Sequence, residues 1–229
     1  MNRKELIDYI DNNTLLGNII TKDSPTYKSL DYPANDIIIG SVEVDGLFLK
    51  KDTKNRIHLT YYNGDYEELD LGDCVDIIDA RAFFINGYKR NKNICRAKLK
   101  HVSGSKVKSI GSYSFANSKI KSCSFPNLTH IGTRAFMGSS IEAITFNKVK
   151  HIPNGSFKWA NNLRSFKGNN VESVASWTFC SCESLRSIII PSAKIIKLCA
   201  FSDCKNLRIA EVSKDCKIYD TMVNKILEK

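Results

Sequence analysis

A β-rich α/β repeat solenoid, with a small β-rich cap at its N-terminal end and a helical cap at its C-terminal end, is the fold class this sequence predicts. Three observations carry the prediction. Phenylalanines recur at Phe83, Phe115, Phe136, Phe157, Phe179 and Phe201, with spacings of 32, 21, 21, 22 and 22 residues. Five residues before each stands an aliphatic side chain (Ile78, Ile110, Ile131, Ile152, Val174, Ile196), and three before that come Val75, Val107, Leu128, Val149, Val171 and Ala193. After most of the phenylalanines an apolar triplet follows at relative positions 0, 3 and 5: Ile120-Cys123-Phe125, Ile141-Ile144-Phe146, Leu163-Phe166-Gly168, Leu185-Ile188-Ile190 and Leu207-Ala210-Val212. Self-similarity at a fixed short period is the mark of stacked coils.

Residues 1–65 lie outside the repeat and read as an α+β cap. Arg3 to Ile10 places Leu6, Tyr9 and Ile10 at helical spacing. Ser41 to Leu49 and Arg56 to Tyr62 alternate apolar and polar residues and read as strands, and Asn63-Gly64-Asp65 is a turn between Tyr62 and the next strand. That strand, Tyr66-Leu69-Leu71, opens an array running over 66–218. A coil leaves both its ends open, so the array needs the cap. A period of 21 to 22 residues is too short for a helical hairpin and fits a leucine-rich-repeat coil of one strand, a turn and a return. Alternation turns triplet positions 3 and 5 inward and positions 2 and 4 outward. The Ile-x-x-x-x-Phe segment is the return. Seven such strands, about 4.8 Å apart, give a ladder about 29 Å long. The first spacing contains an insertion of 11 residues, around 87–106, with its triplet read at Ile94-Ala97-Leu99. Residues 219–229 read as a closing helix with Met222, Ile226 and Leu227 on its apolar side.

Two stretches, Ile131-Gly132-Thr133-Arg134-Ala135-Phe136 and Ile196 to Leu207 (Ile-Lys-Leu-Cys-Ala-Phe-Ser-Asp-Cys-Lys-Asn-Leu), resemble the BspA-type, or Treponema pallidum-type, leucine-rich repeat. Ser187-Ile188-Ile189-Ile190-Pro191 and Ser124-Phe125-Pro126 resemble the strand ending of that repeat. The resemblance covers about 75–218 and implies an interaction module. Many members of that family are surface adhesins.

Composition removes other classes. Hydrophobic residues at 42% and charged residues at 25% belong to a globular chain rather than a disordered one. No apolar run is long enough for a transmembrane helix, and the opening Met1-Asn2-Arg3-Lys4-Glu5-Leu6 lacks a signal-peptide core, so a cytoplasmic location without membrane contact is expected. The eight cysteines show no zinc-finger spacing, and Cys123 occupies an inward strand slot. Cys182 and Cys204 share a column with Ser118, Ser139 and Ala160, which marks them as structural thiols. His130 and His151 share one register with no carboxylate in their column. No phosphate loop, nucleophile elbow or His-Glu-x-x-His run is present. The expectation is a chain with no catalytic residue, no metal and no cofactor.

The charge is lopsided: residues 1–70 carry a net −5 and residues 71–229 a net +15, and Ala80 to Ile141 holds 12 Lys and Arg with no acid. Such a field attracts an acidic protein surface, a nucleoprotein complex or nucleic acid. Two features are expected to bind. One is the basic insertion, with Tyr88, Lys89, Arg90, Lys92, Arg96, Lys98 and Lys100. The other is the outward strand face, where position 2 reads Glu68, Arg96, Ser122, Ala143, Ser165, Ser187, Ile209 and position 4 reads Asp70, Lys98, Ser124, Thr145, Lys167, Ile189, Glu211. The reading is a monomeric interaction module that blocks or scaffolds a partner, such as an inhibitor of a defence or nucleoprotein complex. The alternatives are RNA or DNA binding through 81–121 and a cell-surface adhesin fragment.

Overall fold

A computed structural model describes residues 2–15, 19, 40–84 and 98–227 of the chain. Its elements are numbered in chain order. Helix α1 (Arg3–Leu15) begins with a reciprocal cap: Asn2 Oδ1 accepts the Glu5 N–H at 3.0 Å and Glu5 Oε2 accepts the Asn2 N–H at 2.8 Å. The helix runs past Ile10, buries Leu6 and Ile10 one turn apart, and leaves Tyr9 on the exposed side. The expected strand over Ser41–Leu49 is instead a hairpin, β1 (Val42–Val44) and β2 (Leu47–Lys51). Asp45 and Gly46 both take positive φ (48° and 76°), the turn that reverses a two-residue hairpin. A Cβ on Gly46 would lie 2.7 Å from Gly64 Cα, so the two turns approach at a point where no side chain fits. Strand β3 (Ile57–Tyr62) pairs with β2 antiparallel and then with the first coil in parallel, so the cap continues the solenoid's own sheet.

Each coil contributes two strands. The front ladder is β4 (Glu68–Asp70), β6 (His101–Ser103), β8 (Ser122–Ser124), β10 (Ala143–Phe146), β12 (Ser165–Gly168), β14 (Ser187–Ile190) and β16 (Ile209–Val212). The back ladder is β5 (Ile77–Ile78), β7 (Ser109–Ile110), β9 (His130–Ile131), β11 (His151–Ile152), β13 (Ser173–Val174), β15 (Ile195–Ile196) and β17 (Lys217–Ile218). The return segment is therefore a second short strand, a detail that periodicity alone does not disclose.

Pairing corrects the expected register of the insertion. Glu68 lies opposite His101, and His101 opposite Ser122. The triplet is thus Leu99-Val102-Gly104, five residues after Ile94-Ala97-Leu99, and all the extra residues fall between Phe83 and Leu99. The earlier spacing satisfies the same apolar rule, while Gly104 hides the true one. Gly168 holds the same slot in another coil.

The core is one file of rings. Phe83, Phe115, Phe136, Phe157, Phe179 and Phe201 stack with centroids 4.7, 5.2, 5.2, 5.2 and 4.9 Å apart and planes within 13° of parallel. All six are at most 1% exposed, and Tyr62 extends the file into the cap, 5.4 Å from Phe83. Aromatic pairs add about 0.5–1.5 kcal/mol beyond area burial. Helix α2 (Thr221–Leu227) covers the last coil. Val223 is its buried residue, Met222 and Ile226 pack partly, and Leu227 is exposed rather than on the apolar side.

The ladders are interrupted once on each face. The front splits into a sheet of β4, β6 and β8 and a sheet of β10, β12, β14 and β16. The back splits between β9 and β11. On the back, Gly111, Gly132, Ala175, Lys197 and Tyr219 each donate their N–H to the aliphatic carbonyl of the preceding coil at 2.7–3.0 Å. Pro153 holds that slot opposite Ile131 and has no N–H to give. On the front, Phe125 and Phe146 fill the same inward slot on either side of the break, and two bonds, Ser140 N–H to Ser118 O at 3.0 Å and Glu142 N–H to Lys121 O at 2.9 Å, lead into the strands. The turn edge stays continuous through Arg134 to Asn154 O, Phe136 to Ser156 O and Gly138 to Lys158 O at 2.8–3.1 Å.

Candidate interaction surface

The outward columns of the front ladder form an open two-lane face. With the register corrected, position 2 reads Glu68, His101, Ser122, Ala143, Ser165, Ser187, Ile209, and position 4 reads Asp70, Ser103, Ser124, Thr145, Lys167, Ile189, Glu211. Arg96 and Lys98 leave the columns; His101 and Ser103 take their places. Ser122, Ser124, Thr145 and Lys167 are exposed as expected, and Ile189 is half-buried beside Ile209, which is 59% exposed. The acidic end is braced internally. Ser103 Oγ donates to Asp70 Oδ1 at 2.7 Å, and with the Gly72 N–H at 3.0 Å this holds the Asp70 carboxyl below its usual range. His101 Nδ1 and Ser122 Oγ are hydrogen-bonded at 2.7 Å. Two shallow grooves lie on this face: one of about 360 Å³ over β4, β6 and β8, and one of about 300 Å³ along the break beside Ser124, Phe125 and Thr145.

Of the predicted insertion residues, Tyr88, Lys89, Arg90, Lys92 and Arg96 lie outside the described residues. Lys98 Nζ pairs with Asp65 at 2.6 Å, and the Lys100 main chain bridges neighbouring coils, donating to Glu67 O and accepting from Lys121 N–H.

His130 and His151 border a groove of about 360 Å³ on the back, at the break. Their rings bond to different partners, His130 to Thr129 Oγ1 and His151 to Ser173 Oγ, each at 2.8 Å. Glu172 stands between Lys150 and Lys194, whose ammonium groups lower its carboxyl to about 2. At the junction of the cap and first coil, His58 bonds Asp79 at 2.7 Å and faces Asp52 at 3.4 Å, which raises its imidazole above the ordinary value against the opposing effect of burial. Among the described residues no hydroxyl or thiol bonds to His58, and no three His, Cys, Asp or Glu side chains converge as for a metal.

No disulfide joins any two of the seven described cysteines. Cys182 and Cys204 are fully buried and donate through sulfur to Phe157 O and Phe179 O of the preceding coil, each at 3.0 Å. Burial pushes the Cys182 thiol well up, and the Cys123 thiol to about 12.

A set of residues on the turn edge escaped the sequence reading. Two residues before each stacked phenylalanine the chain is left-handed: Arg81, Tyr113, Arg134, Gly155, Trp177 and Cys199, with φ between 56° and 62°. Two residues after, Asn117, Gly138, Trp159, Ser181 and Asp203 do the same, with φ between 57° and 65°. Such a conformation costs a side-chain-bearing residue roughly 1–2 kcal/mol. Trp159 and Trp177 are nevertheless placed there, 50% and 43% exposed, with Lys158 Nζ 4.4 and 5.3 Å from their ring centroids. Tyr113 lies between Arg81 and Arg134, at 5.9 and 5.6 Å, and its hydroxyl accepts from Arg134 Nη1. No one residue type marks these columns as left-handed. Aligning them below the phenylalanines, and noticing Gly155, Gly138 and Asn117 among them, is the signal that was there.

No helix among the described residues is long and apolar enough to cross a membrane. No curated protein matches the chain. Solved structures do. The T. pallidum leucine-rich repeat protein aligns over 75% of this chain and 81% of its own at 21% identity, TM-score 0.63. A leucine-rich repeat protein from Eubacterium ventriosum aligns over 79% of this chain at 20% identity, TM-score 0.63. The pneumococcal vaccine antigen PcpA aligns over 76% at 16% identity, TM-score 0.61. The chain spans about half the length of the last two, 50% in each case. At such identities the likeness is one of fold. The BspA type Leucine rich repeat region matches residues 91–208 in six copies, and with the stacked phenylalanines and paired ladders in register, the chain belongs to that family.

Proposed function

We propose that this protein is a non-catalytic protein-interaction module that engages one macromolecular partner through its front strand face, blocking or scaffolding it. The observation that carries the reading is the middle of the face. Ser122, Ser124, Ala143, Thr145 and Ser165 are small and open, flanked by the acidic Glu68 and Asp70 at one end and by Lys167, Ile189 and Ile209 at the other. A flat lane without a deep pocket suits a broad protein surface rather than a small molecule. An acidic partner, or one within a nucleoprotein complex, matches the basic excess after residue 70. Cys182 and Cys204, buried thiols that donate to main-chain carbonyls, suit a reducing compartment.

The test replaces two small residues by long charged ones. Tagged wild-type protein and the Ser124→Arg/Thr145→Arg variant are used to capture partners from source lysate, with and without nuclease. Loss of a nuclease-resistant partner in a variant that melts like wild type is the expected result. An unchanged set of captured proteins removes the front face from the reading.

A further inference from the structure

We propose that the turn edge of the solenoid, with Arg81, Tyr113, Arg134, Trp177, Lys158 and Trp159, is a second binding surface, for single-stranded nucleic acid. It is distinct from the front face.

Three features lead there. The first is placement. Both tryptophans sit in left-handed slots, of which Gly155, Gly138 and Asn117 hold three with ease while Arg81, Tyr113, Arg134, Ser181, Cys199 and Asp203 bear the same strain as the tryptophans. Neither ring is needed to fill the core, since both are about half exposed. A strained backbone position holding an exposed aromatic points to a use outside the fold.

The second is charge. Arg81, Arg134 and Lys158 have no carboxylate partner among the described residues; aromatic rings flank them instead. Arg134 gives Nη1 to the Tyr113 hydroxyl, and the remaining N–H groups of Arg81 and Arg134 are the donors for phosphate oxygens. The turn segments from Ala80 to Phe84, Ser112 to Lys119, Thr133 to Ser140 and Asn154 to Asn162 contain no acid. Acids enter this edge only with Glu183 and Asp203, past Trp177.

The third is repetition. Successive coils advance about 5 Å, as the ring stack records. Along that advance Arg81, Tyr113 and Arg134 are consecutive, Gly155 leaves a step onto which the Arg134 stem leans (a Cβ there would meet Arg134 Cγ at 3.1 Å), and Trp177 resumes the column with Lys158 and Trp159 beside it. A nucleotide chain offers an anion and a π-face at every step, which is what alternating cations and rings complement without reading sequence. An acidic polypeptide offers the anions but not the repeated faces.

The protein contains two tryptophans, both on this edge, so intrinsic tryptophan fluorescence reports on it alone. Full-length protein is titrated with oligo(dT) and oligo(U) of about ten nucleotides, and with poly-glutamate as competitor. Quenching is expected, with affinity falling roughly twentyfold between 50 and 200 mM salt for three phosphate contacts. Trp159→Asn and Trp177→Asn, which keep a residue tolerant of positive φ, are each expected to weaken binding about tenfold, read by anisotropy of a labelled oligonucleotide. Arg134→Gln is expected to weaken binding and flatten the salt dependence. Absence of quenching overturns the proposal. So does full binding by the double tryptophan variant, which would move the site to another basic region, and so does equal quenching by poly-glutamate, which would name an acidic polypeptide as the ligand. The Ser124→Arg/Thr145→Arg variant retains oligonucleotide binding if the two surfaces are independent, so failure of one reading is distinguishable from failure of the other.

Discussion

The main-chain N–H of Phe201 donates to Asp220 Oδ2 at 2.9 Å, in the place where every earlier stacked phenylalanine finds a carbonyl of the following coil. Phe83, Phe115, Phe136, Phe157 and Phe179 donate to Ser114, Ala135, Ser156, Thr178 and Ala200 at 2.7–2.8 Å. The other oxygen of Asp220 accepts from Met222 and Val223 and so caps α2. One buried carboxylate therefore ends the ladder and starts the helix that covers it.

Asp220→Ala strips a helix cap and leaves a buried amide without an acceptor, so a loss of about 2–4 kcal/mol is expected from urea unfolding. Asp220→Asn keeps an oxygen for one role and is expected to cost less. Equal stability of the alanine variant would show that the last coil needs no terminator.

Phe157 lies in the middle of the ring file, 5.2 Å from a neighbour on each side. Truncation to Ala is expected to cost about 3–5 kcal/mol, as large core cavities do. Phe157→Leu should lose less, because volume is partly kept while the stacking is not. Thermal melts of the two variants separate cavity cost from ring-pair cost.

Between the cap and the first coil, His58 makes stability fall as the solution becomes alkaline. Its folded pKa lies above the ordinary 6.5 because the Asp79 carboxylate bonds it. The stabilisation is therefore complete below 6.5 and is lost as pH rises through the raised value. Asp79, held below its ordinary 3.8 by His58 and Lys50 in spite of burial, acts in the opposite sense and is lost as pH falls through its lowered value. Melting temperature should be greatest between these limits, and His58→Gln should flatten the alkaline side. A wild-type profile already flat from pH 6 to 9 would remove the pair from this role.

The repeat, the two ends and the inward file were legible in the sequence because every coil must solve the same packing problem with the same side chains, so Phe83 to Phe201 state it six times over. The hairpin at Asp45-Gly46 was missed because alternation on both sides of the turn reads as one strand. The triplet at Leu99-Val102-Gly104 was missed because a glycine held an inward slot and a decoy stood five residues earlier. Ser122, Ser124, Thr145 and Lys167 were placed on the outward face by alternation alone. The turn-edge tryptophans could not be found that way, since periodicity marks what is buried and they are not.

Thiol chemistry should divide by depth. Cys182 and Cys204 are sealed in the core and hydrogen-bonded, while Cys74 and Cys216 are only half-buried. In native protein, Cys74 and Cys216 are expected to react with a thiol reagent and Cys182 and Cys204 to stay silent until unfolding. Mass spectrometry of labelled peptides decides; early labelling of Cys182 would contradict its burial.

At the interruption opposite Pro153, neither the Lys150 N–H nor the His151 N–H finds an acceptor among the described residues, whereas the equivalent Glu172 and Ser173 amides bond Lys150 O at 2.7 and 3.1 Å. Hydrogen exchange should therefore be faster at Lys150 and His151 than at Glu172 and Ser173. Uniform protection would mean that the back ladder is closed in solution.

That interruption also has a mechanical meaning. Strand pairing lapses on two of three sides between Gly132 and Pro153, with main-chain bonds left on the front only ahead of the strands, so the molecule is a beam scored across its front and back, with the Phe136–Phe157 pair as fulcrum and the turn edge as the main strap. A partner laid across Ser124 and Thr145 would span both halves of the beam and the line between them.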